Sequence, residues 1–400
     1  MIRHRHHPRW RVLVPARALL FASIIAGAGA AAAKSTPGLD ARALFGFGHD
    51  SNSHREAVTA DAGYYLPYDL RARYAPAVGK GSRLEFSAEA DGQMYMGAVA
   101  DGSESSFDFG VEYSRALRGT PGRRERGFLL DVGVYGVAAA KRDAYVSRLS
   151  GEEYTVDVAG IPVSLRDRFD KNDAVVGGRL GMRWPSTTQW AATLDVRHRN
   201  YTQDYDALPD VDRLDNRNLE ASVQLTQEVA RPVRLQVQYA HEVTDYYDRA
   251  VRDLSGERVA GVAQTFSFNT VRAGVRCELG KAWRVGLDSS WRARQDHYLG
   301  YYDAREWSIG PDIRFDATRR LGLRANYEYS HRGYERAHVS FDPDLPVRDD
   351  REHHLLLEGN YRLDPRSSFF LALEHDDVDE MNPAYSYGRT RAAAGYELRY

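Results

Sequence analysis

Two sets of charged residues recur at every second position along parts of the chain. Arg272, Arg276, Arg284, Arg292, Arg294 and Arg314 gather in its later half, and Glu85, Glu89, Asp91, Asp108 and Glu112 in its earlier half. Guanidinium and carboxylate groups on facing walls would set a field across a wet passage and orient polar solutes without making or breaking bonds. The same groups on neighbouring strands could instead pair and stiffen one wall. Bond-making chemistry finds no frame here. The sequence holds no GxSxG, HExxH, P-loop or Rossmann fingerprint, and Cys277 is its one cysteine, so no enzyme, metal or cofactor is expected. The aspartates Asp210/Asp212, Asp342/Asp344, Asp349/Asp350 and Asp376/Asp377/Asp379 read as solvated loop residues, not as a calcium cage. Basic and acidic residues interleave throughout, which argues against a nucleic-acid surface.

What positions these charges is a period of two. Leu84, Phe86, Ala88, Ala90 and Met94 alternate with Arg83, Glu85, Ser87, Glu89, Asp91 and Gln93, and the same alternation holds over 233–243 and 283–293. A helix would scatter such charges over every side, so the pattern requires strands. Sixteen runs follow, the first at 39–49 and the last at 387–400, with others at 233–245, 266–279, 320–333 and 352–363. Most exceed the usual strand of a globular protein and suit a tilted membrane-crossing strand. Short junctions such as PSTT, GK and DPR alternate with long polar ones, among them Tyr246–Gln264 and ERAHVSFDPDLPVRDD.

A charged fraction of 28% and a mean hydropathy of -0.55 exclude a bundle of membrane helices. Residues 1–33 read as a cleavable export signal: a basic stretch, a short apolar core, then Ala31-Ala32-Ala33. Its removal takes away five arginines and no acid, moving the formal charge from -2 to -7. Residues 34–400 are expected to form one domain. With a single cysteine it has no internal disulfide, so backbone pairing must hold it together.

The alternating strands and the final segment GYELRY together resemble bacterial outer-membrane β-barrel proteins. The resemblance implies an all-β, antiparallel up-and-down barrel of about sixteen strands, porin-like, with both termini periplasmic. It also implies that the Tyr396, Leu398 and Tyr400 series is read by the barrel-assembly machinery. The stretch GFGHDSNSHR is similar to the strand opening of barrels in the surface-lipoprotein assembly modifier family, with His49 where Tyr is usual. Helical or periplasmic repeats that accompany such barrels, or polysaccharide-export ones, have no counterpart in this sequence.

In lipid every backbone group must be paired, so the first and last strands are expected to close a cylinder. Trp184, Trp190, Trp283, Phe369, Tyr74, Phe315 and Tyr361 would form an aromatic girdle at the short-turn end. His49, His198, His241, His331, His353 and His375 fall in the outward series near the far ends of strands. At about 2.5 Å of height per residue they would meet lipopolysaccharide phosphates, or else form an ordinary polar rim. The connection 142–173 contains YTVDV and IPVSL around Ala159-Gly160, a hairpin that could fold inward as a constriction or stand outside. The expected function is a passive or selective channel for small hydrophilic solutes in the bacterial outer membrane, with lipids and lipopolysaccharide as partners. The competing expectation is a structural or secretion barrel with a closed lumen.

Overall fold

The computed structural model describes residues 38–52, 62–97, 103–118, 128–142, 155–158, 161–164, 170–184, 188–201, 213–230, 232–339, 342–381 and 386–400. The alternating runs form β1 (Leu39–Asp50), β2 (Gly63–Tyr74), β3 (Ser82–Tyr95), β4 (Glu104–Arg118) and β5 (Leu129–Arg142). A short hairpin follows, β6 (Thr155–Val158) and β7 (Ile161–Ser164). Next come β8 (Lys171–Arg183), β9 (Thr188–Tyr201), β10 (Asn216–Ala230), β11 (Val233–Arg252), β12 (Arg258–Leu279) and β13 (Trp283–Asp296). The chain finishes with β14 (Ala304–Asp316), β15 (Leu321–His338), β16 (Val347–Asp364), β17 (Ser367–Asp379) and β18 (Tyr387–Arg399).

Sixteen of these strands form one closed antiparallel barrel in which each pairs with its chain neighbours, while β6–β7 is a separate two-stranded sheet. Closure runs from Arg42↔Arg399 to Asp50↔Arg391. The expected closed cylinder is therefore present, and the sheet has no open edge. At the short-turn rim Ala41 and Tyr400 exchange backbone hydrogen bonds of 3.2 and 2.8 Å.

Because register partners share a face, one series runs unbroken around the barrel. Glu85↔Glu112, Asp195↔Glu220↔Glu242, Arg284↔Arg314↔Arg324 and Leu44↔Glu397 all point into the bore. The other series is apolar and uncovered: Val176 is 69% exposed and Leu371 62%. Uncovered apolar surface on this scale marks contact with a partner or with lipid. Aromatic side chains collect at the short-turn end of this outer face. Trp283 stacks on Phe315 at 4.2 Å, Phe369 meets Tyr396 edge-on at 5.4 Å, and Trp184 meets Phe128 at 6.0 Å.

Four strands run longer than the alternation suggested. Tyr246–Gln264 has the polar composition of a loop, yet β11 continues for 20 residues and β12 for 22. The tip is confined to a turn in which Asp253 Oδ1 accepts the N–H groups of Ser255 and Glu257 at 2.9 and 3.0 Å. The reason is a register shift between Asp245 and Ala250, which breaks the period of two while pairing continues. A second shift between Gly333 and His338 hides the extension of β15 and β16 in the same way. Asp349 and Asp350 are not loop residues either: they continue the regular ladder of β16 opposite Gly333 and Arg332, and Asp376, Asp377 and Asp379 belong to β17. Asp342 and Asp344 do occupy a turn, and Asp210 and Asp212 lie outside the described residues.

Candidate functional site

All eleven charges expected in the lumen lie on the inner series. They divide into three environments. Asp91, Asp108, Arg284 and Arg314 border a cavity of about 1160 Å³ that reaches from β2–β5 across to β13–β17. From β13 round to β18 its lining carries seven arginines against three carboxylates; on the β1–β8 side it carries four basic and five acidic groups. The cavity is thus polarised, with its positive excess on one wall. Arg319, Arg320, Arg324, Arg362, Arg42 and Arg71 also line it and escaped the sequence reading. For Arg324, Arg362, Arg42 and Arg71 the signal was available, since each occupies an inward position of its alternating run.

The second environment is the ion-paired wall. Arg276 holds Asp288 through two hydrogen bonds of 2.8 and 2.6 Å. Arg324 bridges Asp312 at 2.6 Å and Glu358 at 3.1 Å, Arg314 reaches Asp312 at 3.2 Å, and Arg284 reaches Asp316 at 3.1 Å. On the acidic side Glu89 pairs with Arg71 at 2.9 Å, and Glu85 pairs with Arg83 and Arg73. Like charges nevertheless face each other in register at Asp69↔Asp91, Glu89↔Asp108 and Glu85↔Glu112. Directly opposed like charges oppose strand pairing, and Arg42, Arg71, Arg73 and Arg83 offset part of that repulsion here. Glu112 and Arg272 project from the inner wall beyond the cavity.

The third environment is aromatic. Arg292 and Arg294 do not stand in open water. The Arg292 guanidinium lies over the Phe268 ring at 4.1 Å and reaches Glu242 at 3.3 Å. Arg294 is buried against Phe266 and Tyr334, and its Nε donates to the Tyr302 carbonyl at 2.7 Å. These strand positions face the bore, but aromatic neighbours cover them, and alternation alone does not report such neighbours.

At the far end of the closing strands, the stretch HDSN noted in the sequence has a structural task. Asp50 accepts Arg389 Nε and Nη2 at 2.8 and 2.6 Å, and the Tyr95 hydroxyl joins both. Asn52 donates to the Gly388 carbonyl at 3.3 Å. Nearby on the inner wall, His354, Glu374 and Asp376 form a compact cluster. The His354 Nδ1 lies 2.7 Å from Asp376, and Arg391 holds Glu374, so the cluster is integrated into the ion-paired wall.

Of the six outward histidines, His331, His353 and His375 follow one another diagonally across β15, β16 and β17, two register positions apart at each step, and His49, His198 and His241 belong to other strands. His353 meets the Tyr327 hydroxyl at 2.7 Å, His331 meets Asp349 at 2.9 Å, His375 meets Thr390 at 2.9 Å and His241 meets Asn269 at 3.0 Å. His198 faces Tyr247, and His49 packs edge-on to Tyr64. Tyr396 and Leu398 belong to the outward series of the closing strand, and Tyr400 follows its last residue, bonded through its backbone to Ala41. In the connection 142–173, β6 and β7 form the expected hairpin, and residues 143–154, 159–160 and 165–169 lie outside the described residues.

No protein-family model matches the sequence, and no curated protein matches it. Solved structures of similar fold exist at low identity. OccK9 (OpdG) of Pseudomonas aeruginosa is 12% identical, with a TM-score of 0.48 over 90% of this chain and 98% of its own. An anion-selective porin from Comamonas acidovorans is 12% identical, with a TM-score of 0.45 over 90% and 98%. OmpT, an outer membrane protein of Vibrio cholerae, is 10% identical, with a TM-score of 0.44 over 92% and 99%.

Proposed function

We propose that this barrel sits in the bacterial outer membrane and passes small charged hydrophilic solutes through its lumen. The observation that carries the reading is the cavity of about 1160 Å³ bordered by residues of opposite walls, with arginine excess on one of them. Such a field orients a solute that bears both charges and speeds entry of one that bears a single negative charge. Arg284, Arg314 and Arg324 on one side and Asp91 and Asp108 on the other are the selectivity residues in this reading. The uncovered apolar outer series supports a hydrocarbon surrounding, and the outward histidines would then meet lipopolysaccharide at the upper edge of the apolar band. Export by residues 1–33 and recognition of Tyr396, Leu398 and Tyr400 by the assembly machinery complete the proposal.

Liposome swelling tests it. Liposomes bearing the protein should swell in isotonic solutions of small amino acids or carboxylates and stay intact in a large oligosaccharide; no swelling with any solute would refute transport. The ion-paired wall favours the second reading, a structural barrel with an idle lumen, and that reading gives no swelling.

A further inference from the structure

The largest apolar cluster among the described residues lies inside the barrel. It combines Phe266, Phe268, Tyr301, Tyr302 and Tyr334 with two alanines. Phe266 and Phe268 share a face with Thr244, Glu242 and Arg294, so they project into the bore. Yet Phe266 is 1% exposed and Tyr301 0%. A side chain directed into a wide wet bore loses its water only if something occupies the bore above it.

Tyr246 and Arg249 of β11 cover part of Phe266, and residues 297–303, which join β13 to β14, supply the rest of the cover with Tyr301 and Tyr302. This connection does not arch away from the rim. Asp296 Oδ1 accepts the Tyr298 N–H at 2.9 Å, and its other oxygen accepts the Tyr302 N–H at 3.3 Å. Gly300 turns the chain at a φ of 75°, a conformation that favours glycine. Tyr302 is fixed at three points: its carbonyl by Arg294 at 2.7 Å, its hydroxyl by Arg252 at 2.9 Å, and its ring edge-on to Phe266 at 5.7 Å. The Tyr301 hydroxyl accepts the His338 N–H at 3.3 Å. Burial raises the Asp303 carboxyl above the usual carboxylate range while it accepts the Asp296 N–H at 2.6 Å.

From these contacts we infer that residues 297–303 form a fixed shelf that projects into the bore from the β11–β15 wall, that this shelf is a constriction of the passage, and that it displaces the path toward the β2–β5 wall. The inference rests on the channel reading for its functional meaning and on packing for its geometry, so two measurements separate them. In planar bilayers, Tyr301→Ala/Tyr302→Ala should raise unitary conductance roughly twofold, because the narrowest section dominates the resistance. Independently of any current, Phe266→Cys in a Cys277→Ser background should react slowly with a small polar maleimide, and several-fold faster once Tyr302→Ala is added. Conductance unaltered by the tyrosine pair in folded, conducting barrels would overturn the constriction. Equal maleimide rates with and without Tyr302 would overturn the shelf itself, and a silent wild type whose maleimide rates still differ would fault only the channel reading.

Discussion

Arg389 and Asp50 stand 339 positions apart in the chain and form a buried ion pair inside the barrel, the guanidinium donating twice to one carboxylate oxygen at 2.8 and 2.6 Å. The pair ties β18 to β1 and, through Tyr95, to β3. Two buried charges that satisfy each other are costly to orphan. Arg389→Ala should therefore cost about 3–5 kcal/mol, whereas replacing both members with apolar residues of similar volume should be close to neutral. Urea unfolding in detergent, with the folded barrel scored by its gel mobility, checks both. A single substitution that leaves the midpoint unmoved would mean that the seam does not depend on this pair.

Leu371 projects from the outer series four residues above the turn that starts β17, within the band assigned to hydrocarbon. An arginine there would have to be carried into lipid, at a cost of about 2–4 kcal/mol near the midplane. Leu371→Arg should reduce stability by that order in lipid vesicles. A variant as stable as the parent would place this face in water.

Asp364 closes the turn between β16 and β17. Hydrogen bonds from Ser367 and from the Arg366 N–H hold its carboxyl below its ordinary pKa of 3.8. A lowered folded-state pKa contributes stability that is present above the unfolded value and is lost as pH falls through the folded one. Stability of the parent should therefore decline below about pH 4, and Asp364→Asn should show a smaller acid-side decline with a lower plateau at neutral pH. Parallel pH profiles would refute the assignment.

Much of the barrel was legible because an apolar face and a charged face on one sheet impose a period of two that no helix reproduces. That single rule placed Glu85, Arg284 and Tyr396 on their faces and anticipated the closing pair of strands. It failed where pairing continued across a register shift: Tyr246 to Arg249 break the alternation, so β11 seemed to end at Asp245. It could not separate Arg284, which borders the cavity, from Arg294, which is buried under Tyr302. Both are inward arginines at even positions, and only the return path of residues 297–303 distinguishes them. The role of Asp50 was hidden for a similar reason, since its partner lies at the opposite end of the sequence.

The polarised cavity makes a directional prediction for ions. Neutralising Arg284, Arg314 and Arg324 together removes three of the seven arginines on the positive wall. The zero-current potential in a salt gradient should move toward cation preference, and Asp91→Asn/Asp108→Asn should move it toward anion preference. The shifts should shrink as salt rises from about 0.1 to about 1 M, where the screening length falls to about 3 Å. Identical potentials in all three proteins would show that these groups do not face the permeating ions.

A channel must let water and ions pass through the closed barrel. Single-channel recording of the purified protein in planar bilayers decides it most directly. Discrete, long-lived, ohmic current steps are predicted for the wild type, with the ion preference set by the cavity charges. Repeated insertion of correctly folded barrels without any step in current would contradict the channel and leave a sealed structural cylinder in its place.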